Sequence, residues 1–248
     1  MPTSESASLT VHLPSSSELA MSQDEEWCEV VQGGARRRIR FHDYEEIFAV
    51  EGLYEHLFYE RLKCQSHTVV TDLLAEQVAA AEQDPACMSV LDLGAGNGMV
   101  GEELLRRGFG QVVGVDIVPA AGEATERDRP GVYADYFVCD LLSPPADVRA
   151  ELEVADFAAM TSVAALGFGD VPPEVFQAAF DCVRPGGWVA LTIKEDFLET
   201  TDASGFSAHI QRLLREGQLE ERARRRYQHR LDVRGEPLHY IAMVGVKR

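Results

Sequence analysis

At 248 residues with 46% hydrophobic side chains, the chain can bury a sizeable core without disulfide or metal staples. Its formal net charge of -18 opposes a polyphosphate partner, so nucleic-acid binding is not expected. The five cysteines (Cys28, Cys64, Cys87, Cys139, Cys182) form no C-x-x-C pair, no apolar run has membrane-spanning length, and residues 1–22 carry no basic segment leading into an apolar one; a soluble cytoplasmic protein with reduced thiols and no membrane partner is expected.

The first stretch, "MPTSESASLTVHLPSSSELAMS" (1–22), is rich in Ser, Thr and Pro and predicts a flexible leader. "EEWCEVVQGGARRRIRF" then holds alternating runs at 27–31 and 37–41 around Gly33-Gly34, the pattern of a hairpin. "DYEEIFAVEGLYEHLFYERLK" opens on the cap candidate Asp43 and carries Tyr44, Phe48, Tyr54, Phe58 and Tyr59; it predicts short helices broken near Gly52. Together, residues 23–64 are expected to form a hairpin and helical lid. "SHTVVTDLLAEQVAAAEQ" follows as an amphipathic helix with Val70, Leu73, Leu74 and Val78 near helical spacing, and Pro85 marks its end.

From there strand and helix patterns alternate: "SVLDLG", "MVGEELLRRG", "QVVGVDI", a helix near 120–128, "YADYFVCDL", a helix near 145–152, "ADFAAMTS", "PPEVFQAAFDCV", "WVALTIK" and "GFSAHIQRLLREGQ". Such alternation predicts a parallel sheet covered by helices on both faces. "RRYQHRLDV" and "LHYIAMVGVKR", joined only by "RGEP", must run antiparallel, because parallel neighbours need a long crossover. The basic run 222–226 is placed in the helix-to-strand connection beside Glu216, Glu220 and Glu221, where it reads as a solvated mixed-charge surface.

"DLGAGNGMVG" (92–101) contains two overlapping glycine patterns. Gly96, Gly98 and Gly101 spell G-x-G-x-x-G, the dinucleotide fingerprint, but this register leaves Gly94 and Ala95 as extra loop after the strand. Asp92, Gly94, Gly96 and Gly98 spell D-x-G-x-G-x-G with the turn at the strand end. Asp116 at the end of the next strand suits a ribose diol under either reading, whereas Asp140 ending "FVCDL" and the terminal antiparallel pair favour the second.

"VLDLGAGNG", "VGVDI", "FVCDL" and "VRPGGWVALTI", in this order, resemble the motifs of class I S-adenosylmethionine (SAM)-dependent methyltransferases over residues 65–248. Within that class, "TSVAALGFGDVPPEVFQAAFDCVRPGGWVALTI" is similar to the methyltransferase-like proteins of the Williams-Beuren region and their bacterial relatives. The resemblance implies an α/β fold: a Rossmann-like seven-stranded sheet with an antiparallel last strand, helices on both faces, and SAM at the carboxyl ends of the strands. It also implies transfer of a methyl group to a small-molecule acceptor. The alternatives are a catalytically silent SAM-binding sensor or partner subunit, and a nucleotide-dependent oxidoreductase.

Under this reading Gly94, Ala95, Gly96, Asn97 and Gly98 form the loop that lets backbone approach the cofactor. Asp92 orders that loop and is placed to reach the SAM amino group. Asp116 accepts the ribose hydroxyls, Ile117 covers adenine, Asp140 accepts its amino group, and Cys139 and Leu141 line its pocket. Thr161 and Ser162 stand where carbonyls hold SAM near its methyl group, although a surface hydroxyl pair is the bland alternative. Tyr54, in the lid, is expected near the sulfonium, and Lys63 near the SAM carboxylate. Tyr54, His56, Lys194 and Asp196 are the acceptor-pocket candidates; they make no recognisable dyad, and no catalytic base or metal constellation is assigned. A homodimer is among the assemblies expected.

Overall fold

The computed structural model describes residues 9–14, 22–166, 170–195 and 205–248. After the N-terminal segment, the chain builds β4 (Ser89–Leu93), α3 (Met99–Arg106), β5 (Gln111–Asp116), α4 (Pro119–Asp128), β6 (Asp135–Val138), α5 (Ala146–Val154) and β7 (Phe157–Ser162). It continues with α6 (Pro173–Cys182), β8 (Val183–Lys194), α7 (Phe206–Arg215), β9 (Leu219–Leu231) and β10 (Pro237–Lys247). These strands form one seven-stranded sheet in the order β6-β5-β4-β7-β8-β10-β9. The pairings from β6 through β8 are parallel, and β10 runs antiparallel to both β8 and β9.

Alternation along the strands sends neighbouring side chains to opposite faces, which explains why the central strands are almost continuously apolar. Val90, Ala190, Ala242 and Val244 face one core with Val70, Leu74 and Leu104 from α2 (Ser66–Ala80) and α3. Leu91, Val189, Leu191, Ile241 and Met243 face the other, with Phe176, Phe180, Phe206 and Ile210 from α6 and α7. The chain reverses direction across the sheet between β4 and β7, and a crevice opens at their carboxyl ends, where such sheets hold ligands.

The N-terminal segment forms a second, three-stranded antiparallel sheet from β1 (Thr10–His12), β2 (Trp27–Gln32) and β3 (Ala35–Arg40). The predicted hairpin is present. β1 corrects the expectation of a leader without structure at these positions: its alternation buries Val11 opposite Val30 and leaves its neighbours outward. α1 (Tyr44–Ala49) and a π-helical segment, Glu55–Arg61, follow on either side of Gly52 (φ +73°), a conformation that favours glycine. Val30, Ile39, Phe41, Ile47, Leu53 and Leu57 pack together beneath them.

Two backbone bonds tie this segment to β9: Leu231 N–H donates to Leu62 O at 2.7 Å, and Gln65 N–H to His229 O at 2.9 Å. The β9–β10 register skips a residue here, pairing Leu238 with Arg230 and His239 with Gln228, so His229 is the extra residue of a bulge. A bulge re-aims its side chain, and that of His229 enters a cavity under the lid.

The structure also corrects the placement of the basic run 222–226, which lies within edge strand β9 rather than in a connection. Arg222, Arg224, Arg225 and Arg226 pair with Glu220, Glu221, Glu76 and Glu195. The mixed-charge reading therefore holds.

Candidate functional site

The loop leaving β4 is pinned from below. Asp92, 1% exposed, accepts from the hydroxyls of Tyr133 and Thr161, each at 2.7 Å. Burial pushes its carboxyl up to about 6 despite these two bonds. Both hydroxyls bind it within the protein interior and hold the end of β4, where the loop begins. Gly94, Gly96 and Gly98 all have positive φ, at +72°, +55° and +88°, as a tight strand-to-helix turn requires. Ala95 is 4% exposed, and its Cβ packs toward Gly114. Asn97, also buried, donates to Glu55 Oε1 at 2.6 Å and thereby fastens the loop to the π-helical segment.

Asp116 finishes β5 with one carboxylate oxygen accepting from Gly96 N–H and the other from Val118 N–H, both at 2.9 Å. Burial raises its pKa, and the backbone donors oppose that rise. Each oxygen retains capacity for a further donor. Asp116 lines a cavity together with Gly94, Ile117, Cys139, Asp140 and Leu141. Five residues predicted for adenosine recognition therefore meet at one place with the first glycine of the loop. Ile117 is 64% exposed, an uncommon position for a large apolar side chain beside a cavity. Asp140 caps the following turn through Leu142 N–H at 2.9 Å.

Thr161 and Ser162 are fully buried, which removes the surface-hydroxyl alternative. The Ser162 hydroxyl has no partner among the described residues. Tyr54 packs its ring at a tilt against both Phe48 and Phe58, with centroids 4.9 Å apart, and burial raises its phenol pKa. The other candidates do not converge with it. His56 Nδ1 bonds Glu60 at 2.7 Å on its own helix, Lys63 is exposed, and Lys194 ends β8; none of the three lines either cavity. Asp196 lies outside the described residues.

Tyr54 lines a second cavity beneath the lid. Its walls include Phe41, Tyr44 and Tyr240 as aromatic faces and Gln23, His229 and Arg230 as polar ones. Ser66 Oγ bridges the Tyr227 hydroxyl and His229 Nδ1, each at 2.6 Å, while burial drives the pKa of His229 well below its usual value and keeps the ring neutral. Arg230 pairs in the interior with Glu26, which also accepts from Val233 N–H at 2.8 Å. Asp170 belongs to the walls of both cavities, and its carboxylate meets His42 Nδ1 at 3.0 Å.

His42, Asp170, Gln23, His229 and Arg230 carry no motif, which is why sequence reading misses them. Phe48, of the aromatic set expected in the lid, has its ring edge 3.2 Å from where a Gly96 Cβ would stand, so it closes directly on the glycine loop. Gly101, the last glycine of the rival dinucleotide pattern, faces the Tyr133 ring, where a Cβ would approach within 2.7 Å. It serves helix packing. Among the described residues, no group of side chains could hold a metal ion, and no helix is long and apolar enough to cross a membrane.

Residues 64–233 match the family model described as a methyltransferase domain. The chain is 30% identical over 136 residues to human methyltransferase-like protein 27, covering 55% of this chain and 53% of that protein. It is 29% identical over 118 residues to the ubiquinone biosynthesis O-methyltransferase of Xanthomonas axonopodis, covering 47% of each. The chain thus spans about half the length of these curated relatives. Its fold is shared by the Synechocystis magnesium protoporphyrin IX methyltransferase with bound S-adenosylhomocysteine, with a TM-score of 0.55 at 14% identity over 83% of this chain and 100% of that one. The family match over 64–233, on a seven-stranded sheet closed by an antiparallel strand pair, establishes that the chain belongs to the class I SAM-dependent methyltransferase family.

Proposed function

We propose that this protein transfers the methyl group of SAM to a small molecule held in the aromatic cavity under the lid. The observation that carries this reading is the shared wall: Asp170 borders both the Asp116 cavity and the aromatic cavity. A donor and an acceptor seated in the two would meet there.

The residues present fit the cofactor. Asp116 offers two carboxylate oxygens to a ribose diol, Ile117 and Leu141 flank a slot for adenine, and Asp140 stands at its rim. Gly94 and Gly96 supply a backbone with no side chain in the way of the methionine arm. When bound, SAM supplies a methyl group already activated by its sulfonium, so most of the acceleration comes from positioning. Tyr44, Tyr54 and Phe58 hold the acceptor against one wall and exclude water. Aromatic walls from Phe41, Tyr44, Tyr54 and Tyr240 with a few polar groups between them suit a small molecule rather than a polymer.

Incubation with SAM and a metabolite library, read as S-adenosylhomocysteine formed, tests the proposal. Turnover with a soluble small molecule supports it. Tight SAM binding with no turnover across the library would identify a sensor instead, and binding of NAD(P) without SAM would overturn the cofactor assignment.

A further inference from the structure

We infer that Gln23 is a specificity-determining residue for this reaction: its side-chain carbonyl oxygen reads an N–H or O–H donor on the acceptor, at a point other than the atom that is methylated. The inference rests on the methyltransferase reading and adds to it the residue that selects the acceptor and the group by which it is selected. Gln23 borders the aromatic cavity and not the Asp116 cavity, so it stands on the acceptor's side of the shared wall. Its Nε2–H donates to the Tyr240 hydroxyl at 2.9 Å, which leaves Oε1 as the atom of the amide that a guest can use. Oε1 is buried and has no partner among the described residues. A buried amide oxygen without a donor is unfavourable, and a guest in the cavity that Gln23 borders would bring one.

The amide is held in place before any guest arrives. Gln23 opens a single 3-10 turn, Gln23–Glu25, closed by Glu25 N–H on Ser22 O at 3.0 Å and by Ser22 N–H on Glu25 Oε2 at 2.9 Å. Arg40 Nη2–H donates to Asp24 O at 3.2 Å, and Phe41 N–H to Glu26 O at 2.9 Å, so the turn is fastened to the end of β3. Tyr240, the partner of the amide, stacks its ring on that of His229 with centroids 4.0 Å apart and 23° between the planes. A polar group fixed in this way gives up little freedom on binding, and it discriminates against a guest that leaves it unpaired.

Gln23 also lies outside residues 64–233, the part that matches the methyltransferase family model. The matched part supplies the whole Asp116 cavity, whereas the segment before it supplies Gln23 and several of the aromatic walls. Selection of the acceptor is thereby placed in the segment added to the shared domain. Phe41, Tyr44, Tyr54 and Tyr240 favour a flat guest, so the acceptor class is a planar compound with an N–H or O–H donor besides the group that is methylated.

The test uses the full chain and two pairs of planar probes: a naphthalenediol with the naphthol that carries a methyl in place of the second hydroxyl, and a hydroxyindole with its N-methyl derivative. Each is titrated by calorimetry into protein saturated with S-adenosylhomocysteine and then assayed for transfer from SAM. The member with the second donor should bind wild type about 10- to 100-fold more tightly than its mate. Gln23→Leu should bind both members alike, by weakening the first and leaving the second nearly unchanged. It should raise KM with kcat held, because the bond is remote from the reacting atoms. Gln23→Glu keeps an acceptor oxygen and should keep the preference. A change that only loosened the fold would weaken both members together and lower SAM affinity as well. Equal affinity of wild type for the two members, equal losses in Gln23→Leu, a preference lost in Gln23→Glu, or no binding of either pair to a wild type that binds SAM would each overturn the inference. Failure to bind SAM would instead remove the methyltransferase reading beneath it.

Discussion

The Tyr133 hydroxyl donates to Asp92 at 2.7 Å across the floor of the glycine loop, and the same ring blocks any side chain at Gly101. One tyrosine therefore fixes both the acid that orders the loop and the helix that follows it. Tyr133→Phe leaves Asp92 with Thr161 as its remaining side-chain donor. Loss of a bond to a buried charged group should lower unfolding free energy by about 1.5–3 kcal/mol at neutral pH, measured by denaturant melts. A change within a few tenths of a kcal/mol would show that the bond contributes nothing.

Asp92 also makes stability depend on pH with a defined sign. Burial lifts its folded-state pKa to about 6 from an ordinary 3.8. Between those values the folded chain keeps a proton that the unfolded chain releases, so this group's contribution to stability falls as pH rises through the window and is fully favourable only below it. The integrated effect is about 3 kcal/mol. Asp92→Asn cannot titrate. Its stability relative to wild type should therefore rise by that order between about pH 4 and about pH 7, and a pH-independent difference would reject the assignment.

Asp116→Ala removes both acceptors for Gly96 and Val118 N–H as well as those proposed for ribose. SAM affinity should fall about 10- to 100-fold, the equivalent of one or two charge-assisted bonds. Isothermal calorimetry reads this directly. Unchanged affinity would take Asp116 out of the cofactor site.

Gly101→Ala places a Cβ 2.7–3.0 Å from the Tyr133 ring and hydroxyl. Overpacking of this kind destabilises by about 1–3 kcal/mol. The thermal midpoint should drop. In a Tyr133→Leu background, which removes the ring atoms nearest the new Cβ, part of the drop should be recovered, so strictly additive losses would contradict the contact.

Glu26 and Arg230 are 2% and 4% exposed and join the N-terminal sheet to the bulged end of β9. Removing either partner alone should cost about 3–5 kcal/mol, because the other charge is stranded, whereas the joint change Glu26→Gln with Arg230→Met should cost much less than the sum. A double-mutant cycle with no coupling would show that the pair does not hold the lid in place.

The order of strands and helices was legible because period-two and helical patterns are local, and both glycine registers pointed to a strand-to-helix turn. The meeting of Asp116, Ile117, Asp140 and Leu141 around one cavity was legible for the same reason: they close or follow strand ends that the pattern locates. The cavity under the lid was not. His42 and Asp170 are 128 positions apart, and only the packing of the N-terminal sheet over the crevice brings them together. His229 reaches the cavity through a one-residue register skip in β9, a feature that no hydropathy pattern marks. His56 turns to Glu60 on its own helix, a side-chain direction that adjacency to the lid in sequence does not encode.

The arginines of β9 have a consequence apart from charge balance. At 13 residues, β9 is a long terminal strand whose outer backbone edge faces away from β10, and such an edge is a template on which another polypeptide can add a strand. Bulky cations at Arg222, Arg224 and Arg226, each held by a carboxylate, make that addition unfavourable. Replacing them with threonine or valine should let two copies pair edge to edge along β9, an association that size-exclusion chromatography reads.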